Sequence, residues 1–282
     1  MRWEAVESIK IKFYHWWQYT KNCFRIKNPF MSQARQLTKI TEHTIRLVNH
    51  SARAHLLHDY FDSWLPTVFG IFFTVTDYHK TIQTLALSGF GLHAFHLIRS
   101  QLESLLIFLY FIEPDENLSE IETRVNAYLD WVIVKMYVNM TNSADFPVLQ
   151  ALSNYHQYVQ QITETYQDLE KRYQEKKTTL NELKRSSSFL KNKPQLAEKY
   201  GFKSLYNHIQ SESSASIHTA DISDRIAEIM TTDSHEYHFN VLLDEARWTV
   251  LLSNLLQAYL LRNLAKFFRI EDPVISMLKD EI

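Results

Sequence analysis

One cysteine, four glycines and six prolines in 282 residues exclude a good deal. Cys23 stands alone, so it can form no internal disulfide and begins no zinc-type cluster; nothing favours an oxidising compartment, and the cytosol is the default. A sheet protein of this length needs far more turn residues to reverse its strands than Gly70, Gly89, Gly91, Gly201 and the prolines supply, which makes helices the economical reading. Long apolar runs are missing too. Trp64–Val75 and Leu105–Ile112 fall short of the roughly 20 residues of a bilayer span, so no transmembrane helix and no integral membrane association are expected. The opening MRWEAVESIKIKFYHWW has neither the continuous apolar core nor the small-residue cleavage site of a signal peptide. A net charge of -2 excludes a globally basic nucleic-acid binder while leaving local patches open.

What is present is apolar periodicity: 45% of the residues are hydrophobic, ample for a core without staples. The expected fold is all-α, a multi-helix bundle with a long charged, heptad-patterned arm. Residues 1–65 form N-terminal helices and residues 66–282 the bundle, with the arm at 150–193, the whole making one continuous globular unit. Prolines and glycines divide it. A helix over about 2–26 ends at Asn28-Pro29, a second runs from about Ser32 to Trp64, and a third from Thr67 to about Leu87. Beyond Ser88-Gly89-Phe90-Gly91 a strongly apolar helix continues to Glu113, before Pro114. The next spans Leu118 to about Met140, with Ser119 and Glu122 as a capping box, and closes in the loop from Asn142 to Pro147. After the arm come a short helix to Tyr200 with Gly201 as C-cap, helices from about Ser204 to His218 and Asp221 to Met230, and a long last one from His235 to Phe268. The first helix carries Arg2, Lys10, Lys12, Lys21, Arg25 and Lys27. Either it touches a membrane or nucleic acid, or it packs Trp3, Ile11, Phe13, Tyr14 and Trp17 on its own domain.

In the arm, Val159, Ile162, Tyr166, Leu169, Tyr173, Leu180 and Leu183 alternate three and four apart, with only Lys176 out of pattern. Such a stripe packs along a narrow seam against another helix or another copy of the protein, so a homo-oligomer or a helical protein partner is expected. Lys171, Arg172, Lys176, Lys177, Lys184 and Arg185 make the stretch basic, either a solvated face or a set of nucleic-acid phosphate contacts.

Two polar groups stand out where packing alone asks for apolar residues. In LHAFHLIRSQLESLLIFLYFIEP, His96, Arg99 and Glu103 fall at i, i+3 and i+7 on one helix face, and a charge there needs a partner. In SLYNHIQSESSASIHTA, Tyr206, Gln210, Ser214 and His218 recur every four residues among small Ser213, Ala215 and Ser216, which let a neighbouring helix approach. Were the two helices neighbours, the set could do phosphate chemistry. Arg99 would hold an anionic phosphate, His218 would serve as general acid or base, and Ser214 and Glu103 would orient those two, with His96, Tyr206 and Gln210 supporting. The duller alternative is a structural polar network tying helices together.

Arg99-x3-Glu103 running to Pro114, then Tyr206 and Ser214-x3-His218, resembles a family of uncharacterised bacterial all-helical domains over roughly Leu87–Ala220. The resemblance implies an all-α fold and a general likeness to the HEPN (higher eukaryotes and prokaryotes nucleotide-binding) helical proteins. Many of those are metal-independent ribonucleases of toxin, antiphage and CRISPR-linked systems, and some are non-catalytic partners. The Arg-to-His spacing of the HEPN nucleases is met only at Arg53 to His58, outside that region, and one such match carries little information.

Histidine pairs at His55/His58 with Asp59, at His93/His96 and at His235/His238 raise a metal-dependent bundle enzyme as a weaker alternative, although the Glu-x2-His repeat of di-iron bundles is missing. No cofactor is expected. The sequence thus reads as a bacterial intracellular helical protein that recognises or cuts RNA as a defence or toxin-type component, with a non-enzymatic interaction protein as its rival.

Overall fold

The computed structural model describes residues 29–60, 63–88, 91–142, 154–176, 180–186, 188–217 and 235–278, and these are helical with no strand among them. In chain order the helices are α1 (Phe30–His50), α2 (Ala52–Leu56), a 3-10 turn (His58–Tyr60), α3 (Leu65–Leu87), α4 (Gly91–Ile112), α5 (Leu118–Asn142), α6 (Tyr155–Glu175), α7 (Asn181–Arg185), α8 (Lys193–Lys199), α9 (Lys203–Ile217), α10 (His235–Phe267) and α11 (Pro273–Met277). They fall into two compact units: one takes its residues from 1–112 and 194–282, the other is 113–193. The expected helices at 2–26 and Asp221–Met230 and the loop closing at Pro147 lie outside the described residues.

In the first unit α3, α4 and α10 pack on one another, α1 lies on α10, and α9 lies on α4. Periodicity explains each face. On α1, Met31, Ala34, Leu37, Ile40, Thr41, Thr44 and Val48 are buried at intervals of three and four, while the intervening Arg35, Lys39 and Arg46 stay in water. Pro66 sits in the first turn of α3, where its missing N–H leaves no bond unmade. Trp64, Phe72, Phe108, Phe111 and Phe268 are the largest side chains fully removed from solvent. Ala94–Ile112 is, among the described residues, long and apolar enough by length and composition to cross a membrane, which the shorter run from Leu105 did not suggest; here half of it is buried in the unit.

Three boundaries differ from expectation for local reasons. The helix expected to run unbroken from Ser32 to Trp64 stops at His50, because Ser51 takes an extended backbone and its Oγ accepts the Ala54 N–H at 3.1 Å, ending α1 and starting α2. The cap of α5 is Asn117 rather than Ser119: Asn117 Oδ1 accepts the Glu120 N–H at 3.2 Å and its amide reaches back to the Glu120 carboxylate at 3.4 Å. Gly201, by contrast, closes α8 as expected. It has φ +80, its N–H bonds Glu198 O at 3.1 Å and the Phe202 N–H bonds Ala197 O, the paired bonds of a Schellman end. Arg269 terminates α10 the same way with φ 54, although it is not a glycine.

The second unit corrects the arm. Its described part is two helices rather than one: α6 ends at Glu175 with Lys176 as its cap and α7 starts at Asn181 with Leu180 as its cap, and the stripe fails where Lys176 occupies a seam position that would bury an ammonium. Its apolar edge is covered by α5 of the same unit. Val134, Tyr166, Leu169 and Leu180 form the buried cluster, flanked by Ile133, Tyr137, Val138, Tyr173 and Leu183. Tyr137 and Tyr166 stack with ring centres 3.9 Å apart.

Candidate functional site

The α4 run from Ala94 to Ile112 alternates buried apolar residues with a polar edge, and α9 lies along that edge. Phe95 meets His208 edge-on at 6.2 Å, which sets α9 beside the first half of α4. One turn further on, Arg99 Nε donates to Glu103 Oε1 at 3.2 Å, and Gln210 Nε2 donates to the same oxygen at 3.4 Å from α9. Tyr206, one turn before Gln210, is buried; burial and the nearby Glu103 charge push its phenol up, against the opposing pull of Arg99 and the Gln210 hydrogen bond. It is therefore a neutral hydroxyl at any ordinary pH.

Arg99, Glu103, Tyr206 and Gln210 therefore meet at one place. The charged pair sits at the margin of the core rather than inside it, with side chains 37% and 24% exposed. His96 is half-buried on the same helix, one turn before Arg99. Ser214 lies on α9, two turns beyond Tyr206, with its side chain outside the described ones, and His218 follows the last described residue of α9. Chemically the cluster offers one guanidinium paired to one carboxylate, a phenol and an amide, a set without net charge that is rich in hydrogen-bond donors.

The other candidates are placed differently. Arg53 is buried with its guanidinium 4.5 Å from the centre of the Phe267 ring, whereas the His58 side chain is 83% exposed, so this Arg-to-His spacing forms no common site. Among the described residues no group of three or more His, Cys, Asp or Glu is placed to hold a metal. Lys171, Arg172, Lys176, Lys184 and Arg185 are exposed, and Lys177 is outside the described residues. Acids temper that basic stretch: Lys171 pairs with Asp168 at 3.3 Å and Arg172 with Asp130 at 3.4 Å, while Lys184 lies over the Tyr166 ring. Asp130 also takes the Tyr173 hydroxyl at 3.1 Å, and burial with that neighbouring charge pushes the phenol up to about 12.

Sequence reading missed a second polar system, in the middle of the first unit. Gln83 Nε2 lies 2.6 Å from His79 Nε2, His79 Nδ1 lies 2.9 Å from Ser253 Oγ, and Ser253 Oγ donates to Gln101 Oε1 at 2.8 Å. The directions follow from chemistry. An amide nitrogen can only donate, so His79 Nε2 accepts and Nδ1–H donates to the serine. Burial pushes His79 down to about 3, with the Ser253 backbone opposing this and the Lys80 charge adding to it, so the ring is neutral. Gln257 extends the system, donating to Thr41 at 3.0 Å and Thr76 at 3.3 Å. This is a helix-tying network with no charge to offer. Its only signal in the sequence was lone polar residues inside apolar stretches, with Ser253 and Gln257 one turn apart on the last helix.

The stretch 68–236, which takes in both α4 and α9, matches the model of a family described as a family of unknown function (DUF5677). No curated protein and no solved structure matches the chain.

Proposed function

The chain belongs to DUF5677, a family of unknown function, and from that premise we propose that it recognises RNA, with Arg99 as the contact to a backbone phosphate, and cleaves it without a metal. One observation carries the reading: Glu103 Oε1 fixes Arg99 through Nε at 3.2 Å at a half-exposed edge of the core, beside a neutral phenol and an amide. An arginine oriented in advance by a carboxylate meets a phosphate with little further ordering, and its planar fork suits two phosphate oxygens. The exposed Lys171, Arg172, Lys176, Lys184 and Arg185 of the second unit are the proposed contacts to further phosphates.

For cleavage, the substrate 2′-hydroxyl attacks the adjacent phosphorus and passes its proton to His218. The bond from phosphorus to the 5′-oxygen breaks, and the departing oxygen takes a proton from water. Arg99 neutralises the charge gathering on the non-bridging oxygens, Glu103 keeps Arg99 in place, and Ser214, one helical turn before His218 in sequence, orients the imidazole. The test is incubation of wild type, Arg99→Ala and His218→Ala with total bacterial RNA in EDTA, followed by fragment sizing. Fragments from wild type alone are expected; equal fragmentation by all three, or none by any, removes the catalytic half of the reading.

A non-enzymatic interaction protein is the second reading, and it has its own observation. The Gln210 bond to Glu103 joins α9 to α4, which is what a structural polar tie does. Arg99→Ala then lowers the melting temperature by several degrees and leaves RNA binding where it was.

A further inference from the structure

Away from the Arg99 cluster, α1, α10 and α11 border a half-open groove of about 380 Å³ whose described lining carries no charge. Leu251, Leu255 and Ala258 make its α10 wall, and Trp248, one turn earlier on that helix, continues the same face. Of the six exposed large hydrophobic side chains among the described residues, Val274 and Met277 line this groove and Trp248 extends it. Half of the exposed apolar bulk therefore gathers at one place, the pattern of a surface that another element covers.

Where the chain enters the groove says what that element is. Met31 and Ala34 pack with Ala246 and Val250, and further along both helices Gln257 bonds Thr41, so α1 and α10 run in the same direction. The start of α1 thus lies at the Trp248 end of the groove, and the 28 residues before Pro29 join there. In sequence they carry an uncharged stripe, Phe13, Trp17, Thr20 and Phe24, at i, i+4, i+7 and i+11, with His15, Lys21 and Arg25 off it. In helical form that stripe is about 16 Å long, and the α10 face from Trp248 to Ala258 is about 15 Å. A connection as short as residues 27–29 turns one helix back antiparallel beside the next. With Ile26 opposite Phe30, Phe24 comes to the Gln33 end of the groove and Trp17 to the Ile40 end, beside Met277.

We propose that residues 13–24 of this same chain dock in the groove as a helix antiparallel to α1, laying Phe13, Trp17, Thr20 and Phe24 against the α10 wall and the exposed side of α11. The uncharged stripe meets uncharged walls, and Lys21 and Arg25 stay in water. This contact stands independently of RNA recognition at Arg99.

The test uses the full-length protein. In a Cys23→Ser background, His15→Cys carries a single spin label on the face opposite the stripe, two residues from both Phe13 and Trp17. The label is expected to broaden the methyl signals of Leu251, Val274 and Met277 in NMR spectra, and Trp17→Lys or Met277→Lys should restore most of the lost intensity. Met277 is exposed, so its variant tests the contact without disturbing the core. Mixing spin-labelled protein with isotope-labelled protein that carries no spin label identifies whose segment is bound: broadening within a chain and none between chains supports the proposal. Groove signals that stay sharp, broadening that survives both lysine variants, or broadening only between chains, which would make a second copy the occupant, each overturns it.

Discussion

Gln210 on α9 and Arg99 on α4 donate to one and the same oxygen, Glu103 Oε1, at 3.4 and 3.2 Å. A carboxylate shared in this way orders the guanidinium without burying it. Because the Arg99 side chain is 37% exposed, solvent screens the ion pair, which contributes less than about 1 kcal/mol. Arg99→Ala should therefore shift the melting temperature by no more than about 4 °C while weakening RNA binding. A larger drop with unchanged RNA affinity would make the cluster a structural tie.

The neutral His79 makes stability depend on pH. Its folded pKa of about 3 lies below the ordinary 6.5, so between those values the unfolded chain binds a proton that the folded one does not. Stability is complete above about pH 6.5 and falls with acidification by up to about 1.4 kcal/mol per pH unit. His79→Gln should flatten that slope between pH 6.5 and pH 4 in denaturant titrations. An unchanged slope would mean that another group carries it.

Leu169 is fully buried in the α5–α6 seam. Leu169→Ala should cost about 2–5 kcal/mol, the usual range for a large-to-small core change. Since α5 of the same unit covers that seam, the melting temperature of the variant and of wild type should be independent of protein concentration. A midpoint that rises with concentration would assign the stripe to contacts between copies.

Two helix ends with the same bonds differ in residue. A Cβ at Gly201 would meet nothing within 4 Å, so Gly201→Ala tests backbone conformation alone and should destabilise by roughly 1–2 kcal/mol. Arg269 holds a positive φ without being glycine, and Arg269→Gly should stabilise by about 1 kcal/mol. Opposite signs in thermal melts are the expected result; the same sign for both would dismiss the backbone account.

The reach of sequence reasoning follows from the range of each interaction. Gly201 marked the end of α8 because the signal and its consequence lie within one turn; Pro66 fell in the first turn of α3, but the helix expected to run up to it stops at His50. Asn117 and Ser119 both precede an acid by three residues, and nothing local chose between them; the cap that formed follows directly on the Pro114 turn, where Asp115 takes φ 44. The heptad stripe announced a seam, but whether its partner was α5 or another copy depends on contacts some 40 positions away. Arg99 and Glu103 were legible as a pair from their four-residue spacing. Their meeting with Tyr206 and Gln210 needed two helices 107 positions apart to pack. The buried network was the least visible, since Thr41 and Gln257 lie 216 positions apart and each alone looks like an ordinary polar residue.

RNA affinity measured against salt concentration tests the phosphate contact most directly, using a labelled single-stranded RNA with wild type and Arg99→Gln. With Arg99 on a phosphate, Arg99→Gln should bind about tenfold more weakly at low salt, and the slope of log affinity against log salt should be shallower by about 0.7. Equal affinities and parallel slopes would contradict an RNA phosphate contact at Arg99.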